Sequence, residues 1–197
     1  LDALNRGWSI LPVRGKYPAA DYLPNKEWGP LREVPYTMEQ ALSIFRHGEG
    51  LGLATITGTA SGLFVIDVDP RNGGTLEGLD LPMTPTESTP SGGAHYYFRL
   101  PDGMTLPSTE LFPGVDLLAE GKYAVTAPSA GYSWLPDLSP DDVPLADPPA
   151  WLWDSIQPQF STETSPNKSP ATAIMHTYDT SSEYLLVPQV PKESIPR

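Results

Sequence analysis

The sequence predicts an α+β fold in which antiparallel strands dominate and helices are few and early. Three observations carry this reading. Runs of β-branched and aromatic residues recur between turn signals, as in Leu63-Phe64-Val65-Ile66 and His95-Tyr96-Tyr97-Phe98. The 24 prolines and 17 glycines argue for many turns and against a helical bundle. Strong helix signals, a start motif followed by a helical apolar period, gather early in the chain, at residues 38–47.

In chain order, Leu1-Asp2-Ala3-Leu4-Asn5-Arg6 reads as the back end of a helix stopped by Gly7, as expected of a piece of a longer protein. Trp8 to Val13 is a short strand leading into Arg14-Gly15-Lys16-Tyr17-Pro18, and residues 19–36 are loop-like with Trp28 as a packing anchor. Thr37 and Gln40 form a capping box, and Met38, Ala41, Leu42 and Phe45 give the apolar stripe of a helix over 38–47. Gly48 and Gly50 end it.

Leu51 to Thr57 and Leu63 to Val68 are two strands whose five-residue spacing predicts a hairpin. Ala94 to Leu100 is a further strand. Val115 to Leu118 and Lys122 to Ala127 predict a second hairpin, turning at Glu120-Gly121. Tyr132-Ser133-Trp134 is a short strand and Trp151-Leu152-Trp153 a docking element. From Ser161 the composition shifts, with eleven Ser or Thr and five Pro in residues 161–197. One domain over 1–160, followed by a flexible tail or interdomain linker over 161–197, is therefore expected.

Bulk properties bound the function. Hydrophobic content of 39%, with five Trp, nine Tyr and five Phe, is enough for an ordinary core. The absence of cysteine excludes disulfides, thiolate zinc sites and cysteine nucleophiles. No apolar run approaches 18 residues and no charged-then-apolar leader opens the chain, which predicts an intracellular protein without a membrane partner. The net charge of −12 disfavours a strong intrinsic grip on nucleic acid, because affinity for phosphates comes largely from Lys and Arg. The deficit is uneven. Residues 1–46 carry six basic and five acidic groups, residues 47–160 three basic and fifteen acidic.

The strand at 63–66 runs straight into Asp67-Val68-Asp69. Side chains alternate along a strand, so the two carboxylates share a face, roughly 6.5 Å apart at about 3.3 Å of rise per residue. Paired carboxylates repel and resist desolvation unless a cation intervenes, and oxygen-only ligands suit Mg²⁺ or Mn²⁺ with substrate phosphates. Alone, Asp-x-Asp also occurs in glycosyltransferases, in phosphatases with an aspartyl nucleophile and at plain strand-to-turn junctions.

Other segments accompany it. Ser91-Gly92-Gly93 precedes His95, where backbone amides can approach phosphate oxygens and the imidazole can donate to one. Gly114-Val115-Asp116 sets a third carboxylate at the head of another strand, and Arg14 and Lys16 supply cations in a glycine- and proline-bounded loop. Taken singly, the glycine pair reads as a turn, His95 as a packed or capping histidine, Asp116 as an acid satisfying a backbone amide and Lys16 as a surface charge. Tyr17, Tyr22 and Tyr36 are open between template platforms and core anchors.

The set occurs in an order that resembles a known family. Gly7-Trp8 with Pro12 and Gly15-Lys16-Tyr17-Pro18, Gly58 before Ser61-Gly62-Leu63, and Val65-Ile66-Asp67-Val68-Asp69 resemble the bifunctional primase/polymerase domain of phage and plasmid replication proteins, in the archaeo-eukaryotic primase superfamily. So do Thr89-Pro90-Ser91-Gly92-Gly93-Ala94-His95-Tyr96-Tyr97-Phe98, Gly114-Val115-Asp116, and Ala127-Pro128-Ser129 before Tyr132-Ser133-Trp134. The resemblance spans roughly residues 5–155. It implies an RRM-like antiparallel sheet carrying the acids, with an N-terminal α/β unit beside it, and a catalytic domain over 1–160.

By the same resemblance Asp67, Asp69 and Asp116 are the metal-binding triad for two divalent ions, Mg²⁺ or Mn²⁺, in nucleotidyl transfer. His95 with the Ser91, Gly92 and Gly93 loop holds the phosphates of the incoming nucleotide, and Lys16 and Lys122 are candidate nucleotide contacts. The implied activity is DNA primase and DNA polymerase, with single-stranded DNA template and dNTP or NTP substrates in a bacterial or archaeal cytoplasm. A helicase or DNA-binding domain C-terminal to residue 197 is the expected partner. One departure stands out: the family often has a basic residue two positions after the third acid, where this chain has Leu118. Lys122 or Arg99 is the expected substitute. The zinc-binding insertion of some relatives is absent, as the lack of cysteine requires.

Three rival readings follow from the same residues. A non-catalytic nucleotide- or template-binding module of a replication initiator keeps the fold and the acids. A Mn²⁺-dependent glycosyltransferase leaves Ser-Gly-Gly-x-His without a role. An aspartyl phosphatase is opposed by Pro70 and Arg71, where its motif needs a small residue and then Thr.

Overall fold

A computed structural model describes residues 2–160, so the expected tail over 161–197 lies outside the described residues. The elements are α1 (Asp2–Asn5), β1 (Ile10–Arg14), β2 (Tyr17–Pro18), α2 (Met38–His47), β3 (Gly52–Ile56), β4 (Leu63–Val68), β5 (Thr86–Ser88), β6 (Ala94–Arg99), β7 (Thr109–Phe112), β8 (Val115–Leu118), β9 (Tyr123–Thr126), β10 (Ser133–Trp134) and α3 (Ala150–Phe160). Short 3-10 turns fill residues 20–32.

Two antiparallel sheets result, one of four strands in the order β2-β1-β3-β9 and one of six in the order β10-β5-β6-β4-β8-β7. The α+β architecture holds, with the acids on the larger sheet. Both expected hairpins are corrected. β3 and β4 join different sheets, and so do β8 and β9. At the first junction the chain makes a tight turn, Ser61 and Gly62 amides donating to the Gly58 carbonyl and the Ser61 hydroxyl to the Ile56 carbonyl, and the β-pairing across it stops at the isolated Gly58–Leu63 bridge. Spacing alone cannot distinguish such a corner from a hairpin, because both need the same short turn.

Alternation along β4 explains the layering. Phe64, Ile66 and Val68 face one way and join Phe98, Val115, Leu117, Leu152 and Ile156 in a core beneath α3. Leu63 and Val65 face the other way and meet Trp8, Tyr97 and Ala124, where the smaller sheet packs against the larger. Trp151–Trp153 therefore belongs to a late helix, and Trp151 Nε1 donates to the Asp80 carbonyl over 2.9 Å.

The capping box of α2 forms as expected, the Thr37 hydroxyl and Gln40 side chain exchanging bonds with each other's amides. Its buried stripe differs by one position. Ala41 and Phe45 face β1 and β3, whereas Leu42, a quarter-turn off that line, is 44% exposed. Trp28 is an anchor, set edge-on against Tyr123 with ring centroids 5.4 Å apart. Tyr36 is structural, donating to the Tyr22 carbonyl over 2.6 Å, while Tyr17 at the β1–β2 turn is 79% exposed. Among the described residues no helix is long and apolar enough to cross a membrane.

Candidate active site

One register row crosses the larger sheet and takes one residue from every strand: Trp134, Glu87, His95, Asp67, Asp116 and Glu110, from β10 to β7. Directly opposed residues in antiparallel strands share a face, with Cβ atoms about 4.5–5.5 Å apart. The row lies where the apolar layer between the sheets ends, and Asp67 and His95 open there into a cleft of about 480 Å³. Lys16, Trp28, Asp69, Arg71, Thr89, Pro90, Ser91, Lys122 and Tyr132 also line it.

His95 sits in the middle of the row, 5% exposed. Its Nδ1–H donates to Glu87 Oε1 over 2.9 Å, and Nε2 stands 3.4 Å from Asp67 Oδ1. Burial pushes the imidazole pKa down, but hydrogen bonds to Asp67 and Glu87 and their charges outweigh it and raise the pKa to about 9. Asp116, directly opposite Asp67, is pushed above the ordinary carboxylate range by burial and by the charges of Asp67 and Glu110, with Lys122 pulling the other way. Asp67 lines the cleft, and Asp116 stands exposed opposite it on the neighbouring strand without lining the cleft. Two facing acids that repel each other are a donor set a hard divalent cation takes when it also keeps substrate phosphates as ligands.

Asp69 reaches the same cleft in a different state. Its backbone is clamped at the head of β8, its amide donating to the Gly114 carbonyl over 2.8 Å while Gly74 N donates to its carbonyl over 3.0 Å. Gly114 holds φ +71 there, and a Cβ on it would strike Gly74 and the Asp69 carbonyl. The carboxylate accepts from Arg71 three times: the amide at 3.0 Å, Nε at 3.0 Å and Nη2 at 2.8 Å. The Arg71 bonds hold Asp69 below its ordinary pKa, with Lys16 adding to the effect. Asp67 and Asp116 thus fit one cation, and Asp69 is committed to Arg71. Among the described residues no three Asp, Glu, His or Cys side chains form a ready-made metal cluster.

The remaining candidates separate cleanly. Lys16 and Lys122 line the cleft. Arg99 does not, being paired with Asp147 away from it, so of the two expected substitutes for the missing cation at Leu118 only Lys122 is in place. Ser91 lines the cleft and its hydroxyl is 2.8 Å from that of Thr89. The Gly92 amide is taken by the Thr89 carbonyl within the turn. A Cβ at Gly93 would overlap the Val68 carbonyl, so that glycine serves the close approach of β6 to β4.

Glu87, Glu110 and Arg71 were not singled out by sequence. Glu87 had a signal: pairing two strands around the turn Thr89-Pro90-Ser91-Gly92-Gly93 sets it opposite His95. Glu110 had one too, in the turn Pro113-Gly114 that brings it opposite Asp116.

Compared with known families, the chain matches over residues 1–151 the family described as bifunctional DNA primase/polymerase, N-terminal. No curated protein matches it.

Proposed function

The chain belongs to the bifunctional DNA primase/polymerase N-terminal family, and from that premise we propose that its cleft performs template-directed nucleotidyl transfer on nucleoside triphosphates in phage or plasmid replication. The observation that carries the reading is the register row that brings Asp67, Asp116 and His95 together on one face. Asp67 and Asp116 would hold Mg²⁺ or Mn²⁺, with Asp69 added once Arg71 releases it. A two-ion arrangement supplies charge that activates the 3′-hydroxyl and neutralises the departing pyrophosphate.

The protein's own work is positioning and charge stabilisation. His95 Nε2–H is a donor at the wall of the cleft, suited to a phosphate oxygen of the incoming nucleotide. Lys16, Lys122 and the Ser91 hydroxyl line the same wall and add cationic and neutral donors. Trp28 and Tyr132 bound the cleft with aromatic surface on which a base can lie. Single-stranded template is the expected second substrate. With a net charge of −12, the chain would rely on a helicase or DNA-binding partner for much of its hold on DNA.

The test is incubation with single-stranded template, Mg²⁺ or Mn²⁺ and labelled nucleotides, with and without primer, beside Asp67→Ala and Asp116→Ala. Metal-dependent products absent from both variants are expected, and undiminished synthesis by either variant would overturn the assignment. A second reading, a module that binds nucleotide without turnover, is favoured by the Arg71 clasp on Asp69 and by Leu118. Metal-dependent nucleotide binding with no product under any condition would select it.

A further inference from the structure

We propose that Glu87 is a positioning residue for this site: it ties down His95 Nδ1 and so aims Nε2 at the Asp67 side of the cleft. The proposal rests on the reading above only for what His95 then meets, a phosphate oxygen of the nucleotide.

Glu87 is wholly buried, 0% exposed. A carboxylate in that position costs several kcal/mol unless its lone pairs are met by well-placed donors. Here four donors meet them. Oε1 accepts from His95 Nδ1 at 2.9 Å and from the Tyr97 hydroxyl at 2.6 Å. Oε2 accepts from the Thr126 hydroxyl at 3.0 Å and from the Ala127 amide at 2.8 Å. His95 and Tyr97 belong to β6 of the larger sheet, Thr126 to β9 of the smaller and Ala127 follows it. The carboxylate is therefore fixed by both sheets, and the imidazole is fixed by the carboxylate.

A donor set of this kind could serve packing alone. The geometry at His95 argues otherwise. The tie engages one ring nitrogen and leaves the other at the cleft wall, and the hydrogen bond at one nitrogen of a histidine decides what the other can do. With Nδ1 tied to Glu87, the plane of the ring is set and Nε2 points at Asp67 and the cleft, 3.4 Å from Oδ1. The ring also stands against Tyr132, centroids 5.8 Å apart, so rotation of the imidazole would break both contacts.

The test uses the full 197-residue chain, ¹⁵N-labelled on histidine, with His95→Gln to assign the ring signals. The wild type should show His95 Nδ1 protonated and hydrogen-bonded. Glu87→Gln should shift the His95 ring signals and raise KM for the nucleotide about tenfold, as loss of a charge-assisted hydrogen bond to a binding group does, with kcat changed far less. Tyr97→Phe removes another donor from the same Oε1 and should lower stability while leaving the ring signals and KM within about twofold. Equal KM effects from Glu87→Gln and Tyr97→Phe, or unmoved ring signals in Glu87→Gln, would overturn the proposal. If Glu87→Gln does not fold, the wild-type spectrum decides, since a bare Nδ1 would refute the tie outright. A wild-type protein without nucleotide turnover counts against the proposed function, while the ring spectrum still decides the tie.

Discussion

The charge state of His95 makes the stability of this protein depend on pH in a direction that can be worked out. The imidazole pKa is about 9 in the fold, against about 6.5 in an unfolded chain. Between those values the folded state keeps a proton that the unfolded state has lost, so stability must fall as pH rises through the interval. The contribution is fully present below about pH 6.5 and gone above about pH 9, and at about 1.4 kcal/mol per pH unit it amounts to about 3 kcal/mol. His95 lies between Asp67 and Glu87, so what is lost is the attraction of the imidazolium to both carboxylates. The assay is urea unfolding at intervals from pH 6 to 10 in EDTA, for the wild type and His95→Gln. The Gln amide keeps a donor for Glu87 but does not titrate. The wild type should lose stability progressively over that range and the variant should lose much less. Parallel curves for the two proteins would refute the reasoning, because the pH dependence would then arise elsewhere.

Other expectations follow from the same geometry. Asp116→Asn should abolish nucleotidyl transfer yet leave urea stability unchanged or raised by up to about 1 kcal/mol, since it relieves repulsion with Asp67 and Glu110. Arg71→Gln should leave urea stability nearly unchanged, because a solvent-screened ion pair contributes little, and should tighten Mn²⁺ binding in calorimetry by freeing Asp69. Weaker Mn²⁺ binding would show that Arg71 holds Asp69 in its working position. Gly92→Ala meets open space at φ +80 and should cost roughly 1–2 kcal/mol, whereas Gly93→Ala meets the Val68 carbonyl and should cost more than about 3 kcal/mol in thermal unfolding. Equal costs would contradict the separate roles given to the two glycines.

What the sequence made legible is what local chemistry decides. The capping box of α2 and the strands at 63–68, 94–99 and 115–118 depend on neighbours a few residues apart, and they are where spacing put them. The partnership of Asp67, His95 and Asp116 was legible only as a resemblance, since no spacing in one chain states which strands lie side by side. The two misread hairpins show the limit. Gly58 to Gly62 makes a tight turn, but Thr57 then bonds across to the Lys122 carbonyl and to the Ala119 carbonyl, so the incoming strand continues in the smaller sheet. The short strands β5 and β7 escaped because Thr-Glu-Ser and Thr-Glu-Leu-Phe carry little apolar period, and their pairing is imposed by β6 and β8.

The register row explains why its two halves do different work. From β5 to β7 it holds Glu87, His95, Asp67, Asp116 and Glu110, four acids and one imidazole on a single face. At the buried end every charge has a partner: Glu87 is met by four donors, and His95 lies between Glu87 and Asp67. At the open end Asp116 and Glu110 repel, and Lys122 is the cation that offsets Asp116. Coulomb energy at a separation of about 4 Å is roughly 1 kcal/mol in water and about four times that near a protein surface, so the unbalanced half is where an added cation gains most. His95 separates the halves, its Nδ1 spent on the anchored end and its Nε2 left for the open one. On the proposed function, a metal and a triphosphate would gain most at Asp67 and Asp116, because the buried end of the row is already neutralised without them.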